Sequence, residues 1–544
     1  MSYVESAQRW MAADPDPATR AELAALIDAG DEAELARRFA RPLVFGTAGL
    51  RGEVMAGPAG MNRLSVRRAT QGVVSWLDEL GLERHRGVVV GRDARRGSEA
   101  FNDEAVAVLL GAGWTVYEMP GPLPTPFVPY AIKRLGAAAG IMITASHNPP
   151  LDNGYKLYAS DGAQIVPPSD ERVEYFMARA GEPVLGNRTS ADHHVIDAAL
   201  FAQYREHMVG RFGVGASDLA ITYTPLHGVG GAPMLDLFAA AGYTRVTLVE
   251  SQFAPDAAFP TLAFPNPEEP GALDLATARA DAVGSSLVIA NDPDADRLGV
   301  ALRTNAGWRI LRGDEIGWLL GDLLIGEARP GDVVATSLVS STMLARIAEA
   351  ADVPCVTTLT GFKWISRAAG AGRLLFGYEE AIGFAVDPLV ADKDGLSAAL
   401  AICSLADRLA RDGATLLTRL DELEARYGVH SGGALSVRAE GEDGLARLRC
   451  AFAALASEPP SELGGEAVAT VVDLAHGWQG LVTEGVLFEL ARGRVVVRPS
   501  GTEAKLKAYV ELVEDAGEDL AATRMRLAVA VAAIVADLEE RLAV

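Results

Sequence analysis

"GIMITASHNPPLDNGYKLYAS", Gly140 to Ser160, opens as an apolar run and stops abruptly at Ser146, His147, Asn148 and two prolines. A short apolar run bounded by turn residues reads as a buried strand. A turn alone needs no serine-histidine pair at its tip, so the stretch raises a chemical question with the structural one. Around it, "RGVVVGRD", "LAITYTP", "RVTLVE", "SLVIANDPDADR", "DVVATSLV" and "RLLFGYEEA" read as further strands bounded by Gly, Pro or Asp. The runs between them, such as "FNDEAVAVLLGAG" and "GWLLGDLLIGEA", space their apolar residues as helices do. This alternation predicts α/β domains with largely parallel sheets. The helical segment "TRAELAALIDAGDEAELARRFA" precedes them. Towards the C-terminus, "GALSVRAEG", "TVVDLAHGWQ" and "GVLFELARGRVVVRPSGTE" followed by a long helix predict a smaller α+β domain.

At 544 residues the chain has room for about three to five domains of ~100–200 residues. With 49% hydrophobic and 22% charged residues it can build full cores without a metal or disulfide staple. A net charge of −23 argues against nucleic acid and anionic membranes as partners. An anionic substrate would therefore need a local basic cluster. Cys355, Cys403 and Cys450 stand apart, with no C-x-x-C spacing, and read as reduced thiols. The opening "MSYVESAQRWMAADPDP" lacks the apolar core of a signal peptide. "LAVAVAAIVA", from Leu527 to Ala536, falls short of the ~20 residues of a spanning helix and reads as the buried face of a terminal helix. The expected location is cytoplasmic.

Three strand tips carry chemistry, and in open α/β sheets sites gather at the carboxyl ends of strands. In "NDPDADR", Asp292, Asp294 and Asp296 alternate after the run "SLVIA". At an effective dielectric of about 20, two carboxylates ~4 Å apart repel by roughly 4 kcal/mol. A divalent cation removes that cost, and hard oxygen ligands suit Mg²⁺ or Ca²⁺. An EF-hand loop would need Gly and Glu where Arg297 and Arg303 stand. Ser146 is then a turn cap, a nucleophile needing a base, or a phosphoserine whose oxygen completes a metal shell. His147 is a candidate base or orienting group. Lys156 is a candidate acid/base or phosphate contact, against an ordinary surface lysine. In "FGYEEAIGFAVDPLVADKDG", Glu379 and Glu380 are placed to accept hydrogen bonds from vicinal hydroxyls, and Lys393 to counter a phosphate. In "RPSGTEAKLKAY", Arg498, Ser500, Gly501 and Thr502 form a donor-rich loop, an anion site inside an acidic protein. "TPLHGVGGAP" fails as a dinucleotide fingerprint because Pro233 stands where the last Gly should be. Its His227 reads as a packing or hydrogen-bonding residue. No Walker A, G-x-S-x-G or H-E-x-x-H pattern occurs.

Taken together, "TASHNP", "DPDADR", "GYEEAIG" and "RPSGTE" resemble the four signature loops of the α-D-phosphohexomutases. "FGTAGLRG", with Arg51, and "GRDAR", Gly91 to Arg95, resemble that family's N-terminal signatures, and all fall in order along the chain. The resemblance implies an α/β fold of four domains around a central cleft. Three would be related α/β units with mixed sheets, the fourth a smaller C-terminal α+β domain. The boundaries expected are a phosphoserine domain over 1–208, a metal-binding domain over 209–311, a sugar-binding domain over 312–428 and a phosphate-binding domain over 429–544.

By the same resemblance, Ser146 is the phosphoserine, with His147, Lys156 and Arg51 supporting phosphoryl and proton transfer. Asp292, Asp294 and Asp296 bind Mg²⁺ with the seryl phosphate. Arg297, Gly361, Glu379, Ala381, Lys393, Arg498, Ser500, Gly501 and Thr502 contact substrate. A sugar 1,6-bisphosphate is the activator and intermediate. The implied activity moves phosphate between the 1- and 6-positions of a hexose, glucose before mannose. Two positions depart from the hexose branches: Ala381, where phosphoglucomutases carry Ser, and Gly383, where phosphomannomutase/phosphoglucomutases carry His. "GYEEAIG" is more similar to the branch of phosphopentomutases and glucose 1,6-bisphosphate synthases. A pentose 1-/5-phosphate mutase, a phosphatase using the same serine and a non-catalytic sugar-phosphate binder are the alternatives.

Overall fold

In the computed structural model the residues described are 2–46, 49–439, 444–499 and 505–543. They form two compact units, one of residues 1–312 and 381–407, the other of residues 313–380 and 408–544.

The first unit holds two sheets. One has six strands in the order Leu50–Glu53, Asp152–Ala159, Ala139–Ile143, Val88–Arg92, Val116–Pro122 and His193–Val195. Val88–Arg92 runs parallel to both of its neighbours, and Val88, Val89 and Val90 are fully buried. An unbroken run of valines is what a strand covered on both faces requires. The second sheet has five strands in the order Gly307–Ile310, Gly299–Thr304, Leu287–Ala290, Ile221–Thr224 and Val246–Leu248.

Both sheets are mixed for one reason. After Ala139–Ile143 the chain turns through the Ser146 loop and returns antiparallel as Asp152–Ala159. After Leu287–Ala290 it turns through the aspartate loop and returns antiparallel as Gly299–Thr304. Both sheets are thus largely parallel, and mixed because one strand in each is reversed at a loop that carries the chemistry.

The N-terminal segment is helical as expected, Pro17–Ala29 and Glu32–Phe39, with a further helix Tyr3–Ala13 before it. Gly30, at φ +64°, ends Pro17–Ala29, and Asp31 caps Glu32–Phe39 by accepting from the Glu34 amide. Their apolar faces meet Ala56 and Leu64 through Trp10, Leu23 and Leu35.

In the second unit Cys355–Thr358, Asp332–Ser337 and Arg373–Glu379 pair in parallel in that order. A separate six-stranded sheet is ordered Val429–Arg438, Lys505–Glu514, Gly493–Pro499, Val486–Leu490, Glu466–Asp473 and Glu462–Leu463. Its pairs are antiparallel throughout. The long helix Leu520–Arg541 packs on it through Leu527, Val531, Ile534 and Leu538. "LAVAVAAIVA" is thus not a wholly buried face, since Ala528, Val529, Ala532 and Ala533 are exposed. Among the described residues no helix is long and apolar enough to cross a membrane. The three cysteines are free, and Cys403 is buried while Cys450 is exposed.

Candidate active site

Ser146 stands three residues past the end of Ala139–Ile143, buried, with its backbone in the left-handed region at φ +52°. That conformation costs an L-residue roughly 1–2 kcal/mol and needs support. Arg95 supplies much of it. One arm of the guanidinium donates to the carbonyls of Ser146 at 2.5 Å and Asn148 at 2.6 Å. The other donates to those of Pro149 at 2.9 Å and Asp152 at 3.1 Å. The ring of Phe259 lies 4.9 Å from this guanidinium. The Ser146 amide donates to Thr144 Oγ1 at 2.8 Å, and Arg51 donates to Asn148 Oδ1 at 2.9 Å. Gly154 has no room for a Cβ, which would lie 2.5 Å from the Thr144 carbonyl oxygen.

So held, Ser146 Oγ donates to Asp292 Oδ2 at 2.6 Å and lies 3.1 Å from His147 Nδ1. Asp292, Asp294 and Asp296 are fully buried, each offering an oxygen within 4.8 Å of the others. Asp292 Oδ1 accepts from the Arg297 amide at 3.0 Å. Asp294 Oδ2 accepts from Lys156 Nζ at 2.8 Å and Thr125 Oγ1 at 2.6 Å. Asp296 Oδ2 accepts from Lys156 Nζ at 2.7 Å and pairs with Lys393 Nζ at 3.1 Å. Asp294 Oδ1 and Asp296 Oδ1 are buried and accept no hydrogen bond among the described residues. Buried carboxylate oxygens without donors fit a hard cation, so the residues present suit Mg²⁺.

The charges shape the titration of these groups. Burial, with the neighbouring charges of Asp294 and Asp296, holds the Asp292 carboxyl well above its ordinary range. Burial would do the same to Asp294, but the Lys156 charge and hydrogen bond outweigh it and hold that carboxyl well below. Burial pushes the His147 imidazole down, helped by Arg297 and Arg51.

Two lysines face the aspartates. Lys156 is not a surface residue but a fully buried ammonium between two carboxylates. Lys393 likewise faces Asp296. Its segment is anchored by Gln164 donating to Asp392 at 2.8 Å and Tyr204 donating to Asp394 at 2.6 Å. Ser146, His147, Arg51, Lys156, Lys393, Arg297 and the three aspartates are thereby brought together within the first unit. His227 packs in that unit as a hydrogen-bonding residue, its Nε2 2.8 Å from Thr261 Oγ1. Arg95 and Thr125 were missed as site residues, because nothing in "GRDAR" or "LPTPF" shows which loop each side chain meets.

The other expected positions belong to the second unit, apart from Ala381 in the first. Glu379 is buried at the end of Arg373–Glu379. Glu380 instead accepts from Ser337 Oγ at 3.2 Å and Ser340 Oγ at 3.1 Å, so it braces the loop. Gly361, at φ +112°, turns the chain into the short helix Phe362–Ile365. Arg498 lies near the end of Gly493–Pro499, directly opposite Lys507. Two basic residues thus stand opposite each other on these strands. Ser500, Gly501 and Thr502 fall outside the described residues.

Comparison with known proteins agrees with this geometry. Residues 42–183, 202–307 and 312–427 match the phosphoglucomutase/phosphomannomutase alpha/beta/alpha domains I, II and III, and residues 456–528 match that family's C-terminal domain. The chain is 38% identical over 460 residues to the probable phosphomannomutase of Haemophilus influenzae, covering 83% of this chain and 93% of the relative. It is 36% identical over 554 residues to the probable phosphoribomutase of Schizosaccharomyces pombe, covering 93% of each. The crystal structure of a phosphoglucomutase/phosphomannomutase family protein from Burkholderia thailandensis superposes with a TM-score of 0.69 at 22% identity, covering 92% of this chain and 96% of that one. Four matched domains in order, and relatives this similar over most of their length, place the chain in the phosphoglucomutase/phosphomannomutase family of phosphosugar mutases, isomerases with three α/β domains and a C-terminal domain.

Proposed function

We propose that the protein moves a phosphoryl group between two hydroxyls of one sugar phosphate by way of a phosphoserine at position 146. The observation that carries this is the 2.6 Å hydrogen bond from Ser146 Oγ to Asp292, in a loop whose backbone Arg95 pins. In the first half-reaction the phosphorus–Oγ bond of phospho-Ser146 breaks as a bond to the free sugar hydroxyl forms. His147, beside Oγ, is the candidate to take the hydroxyl proton. Lys156, bound to two carboxylates, is better read as a counter-charge than as that base. The resulting sugar bisphosphate reverses end for end, and its other phosphoryl group returns to Ser146.

Asp292, Asp294 and Asp296 would hold Mg²⁺, with a phosphoserine oxygen beside them. A cation bound there supplies Lewis-acid stabilisation of the charge on the transferring group. Lys156 and Lys393 set two cationic side chains against the aspartates and offset much of their charge. With a divalent ion added the balance turns positive, which suits a phosphate. Arg51 orients the Ser146 loop through Asn148. Glu379 would accept sugar hydroxyls, and Arg498, Lys507, Ser500, Gly501 and Thr502 would take the phosphate not being transferred. Arg297, Gly361 and Ala381 complete the proposed substrate contacts, and a sugar bisphosphate would prime Ser146. The roles of the stretches 1–208, 209–311, 312–428 and 429–544 follow those residues.

For the sugar, a hexose 1-/6-phosphate is the first reading, supported by the similarity to the Haemophilus phosphomannomutase. A pentose 1-/5-phosphate is the second, favoured by Ala381 and by the phosphoribomutase relative matched over 93% of both chains. The test is a panel of glucose, mannose, ribose and deoxyribose 1-phosphates with Mg²⁺ and a bisphosphate. We expect interconversion of one pair, its loss in Ser146→Ala, and a phosphate ester on Ser146 by mass spectrometry. Negligible turnover of all four, or full activity in Ser146→Ala, overturns the proposal.

A further inference from the structure

The aspartate loop has a partner that the proposed chemistry does not use. Thr125 lies in "GPLPTPF", Gly121 to Phe127, between the strand Val116–Pro122 and the helix Phe127–Leu135. It is fully buried. Its hydroxyl donates to Asp294 Oδ2 at 2.6 Å, and its amide donates to the Asp294 carbonyl oxygen at 2.9 Å. Pro124 and Pro126 on either side have no N–H to give. The one backbone donor of this triplet is therefore committed to Asp294. Lys156 donates to the same carboxylate oxygen, Oδ2. Asp294 Oδ1 is left buried with no donor among the described residues.

We propose that Thr125 is a positioning residue of the cation site, fixing which oxygen of Asp294 is presented as a ligand. This rests on the reading of the three aspartates as that site. A carboxylate held only by Lys156 can turn about its last bond, because an ammonium with three donors can donate to either oxygen equally well. A hydroxyl has one proton, fixed here from a backbone itself bound to Asp294. Together the two donors occupy Oδ2 from different directions and leave Oδ1 buried without a donor among the described residues. Groups of this kind, one shell out from the ligands, orient ligand atoms, and their loss typically weakens metal binding about 10–100-fold.

The experiment titrates the purified full-length chain with Mn²⁺, with free ion followed by electron paramagnetic resonance, for wild type, Thr125→Val, Thr125→Ala and Thr125→Ser. The first two remove the hydroxyl, with and without keeping its volume, and the third restores it. We expect Thr125→Val and Thr125→Ala to bind Mn²⁺ about 10–100-fold more weakly, and Thr125→Ser to stay within about threefold of wild type. Thermal unfolding in chelator serves as the folding check, and if Thr125→Val does not fold the comparison of Ala with Ser decides. Equal affinity across the series overturns the role of Thr125, and so does weak binding in Thr125→Ser, which would mark a packing effect. A wild-type chain that binds no Mn²⁺ overturns the cation site beneath it instead, so the two failures are distinct.

Discussion

Replacing Lys156 by Met tests whether the aspartate cluster is balanced by protein charge. Lys156 Nζ lies 2.8 Å from Asp294 Oδ2 and 2.7 Å from Asp296 Oδ2, and all three side chains are fully buried. At an effective dielectric of about 20 each attraction is worth roughly 6 kcal/mol gross. Removing three charges from water offsets much of that. Breaking a buried pair by deleting one partner nevertheless costs about 3–5 kcal/mol, because a charge is left behind unpaired. Lys393 remains at Asp296, so the loss falls mainly on Asp294. The assay is amide hydrogen exchange at the strands Ala139–Ile143 and Leu287–Ala290, in chelator and in Mg²⁺. At about 1.4 kcal/mol per factor of ten, the variant should exchange roughly 10²–10⁴-fold faster in chelator. Mg²⁺ should restore most of the protection, and more than it adds to wild type, since the cation replaces the missing charge. Exchange within tenfold of wild type in chelator, or no response to Mg²⁺, would refute the reasoning.

Three further outcomes follow from the geometry. Burial alone would raise the Glu511 carboxyl, but the hydrogen bond from His430 and the charge of Arg494 hold it at about 2 against an ordinary 4.5. A depressed carboxyl contributes stability that is fully present above about pH 4.5 and lost as pH falls towards 2, here roughly 3 kcal/mol; acid unfolding of Glu511→Gln lacking this loss would confirm it, and an identical acid profile would count against it. Gly228→Ala would put a Cβ 2.3 Å from Pro293 Cα, so it should lower unfolding free energy by about 2 kcal/mol or more and weaken Mn²⁺ binding; a thermal melt and metal titration like those of wild type would show the loop to be more forgiving. Arg95→Lys cannot reach four carbonyls with one fork, so kcat should fall about 10²-fold with little change in KM, and unchanged steady-state kinetics would remove Arg95 from the positioning of Ser146.

What the sequence disclosed, and what it hid, divides along a physical line. The strands ending at Ile143, Ala290 and Glu379 are apolar runs cut by turn residues, a local signal, and they stand where that signal puts them. The clustering of the three aspartates was legible because alternate positions in one short loop after a buried strand keep the carboxylates close together. Lys156 was ambiguous because a lysine's surroundings are set by strand pairing: Tyr155, Gly154 and Asn153 pair with Leu50, Arg51 and Gly52, and the next residue is carried into the interior. Thr125 and Arg95 were invisible because each acts on a loop more than fifty residues away. The antiparallel returns after the Ser146 and aspartate loops escaped because periodicity reports a strand but not its direction. The terminal helix misled in the opposite sense. Alanine and valine satisfy a hydrophobic count on both sides of a helix that buries only one.

The handedness of the backbone at Ser146 has a consequence for which alcohol can sit there. At φ +52° a side chain branched at Cβ is crowded against its own peptide, whereas an unbranched one is only mildly strained. Threonine offers the same oxygen, and phosphorylation sites on ordinary loops often accept either residue. Here the exchange would push the loop towards another rotamer or another turn, away from Asp292. The chirality of one α-carbon thus narrows the choice at this position to the smaller alcohol.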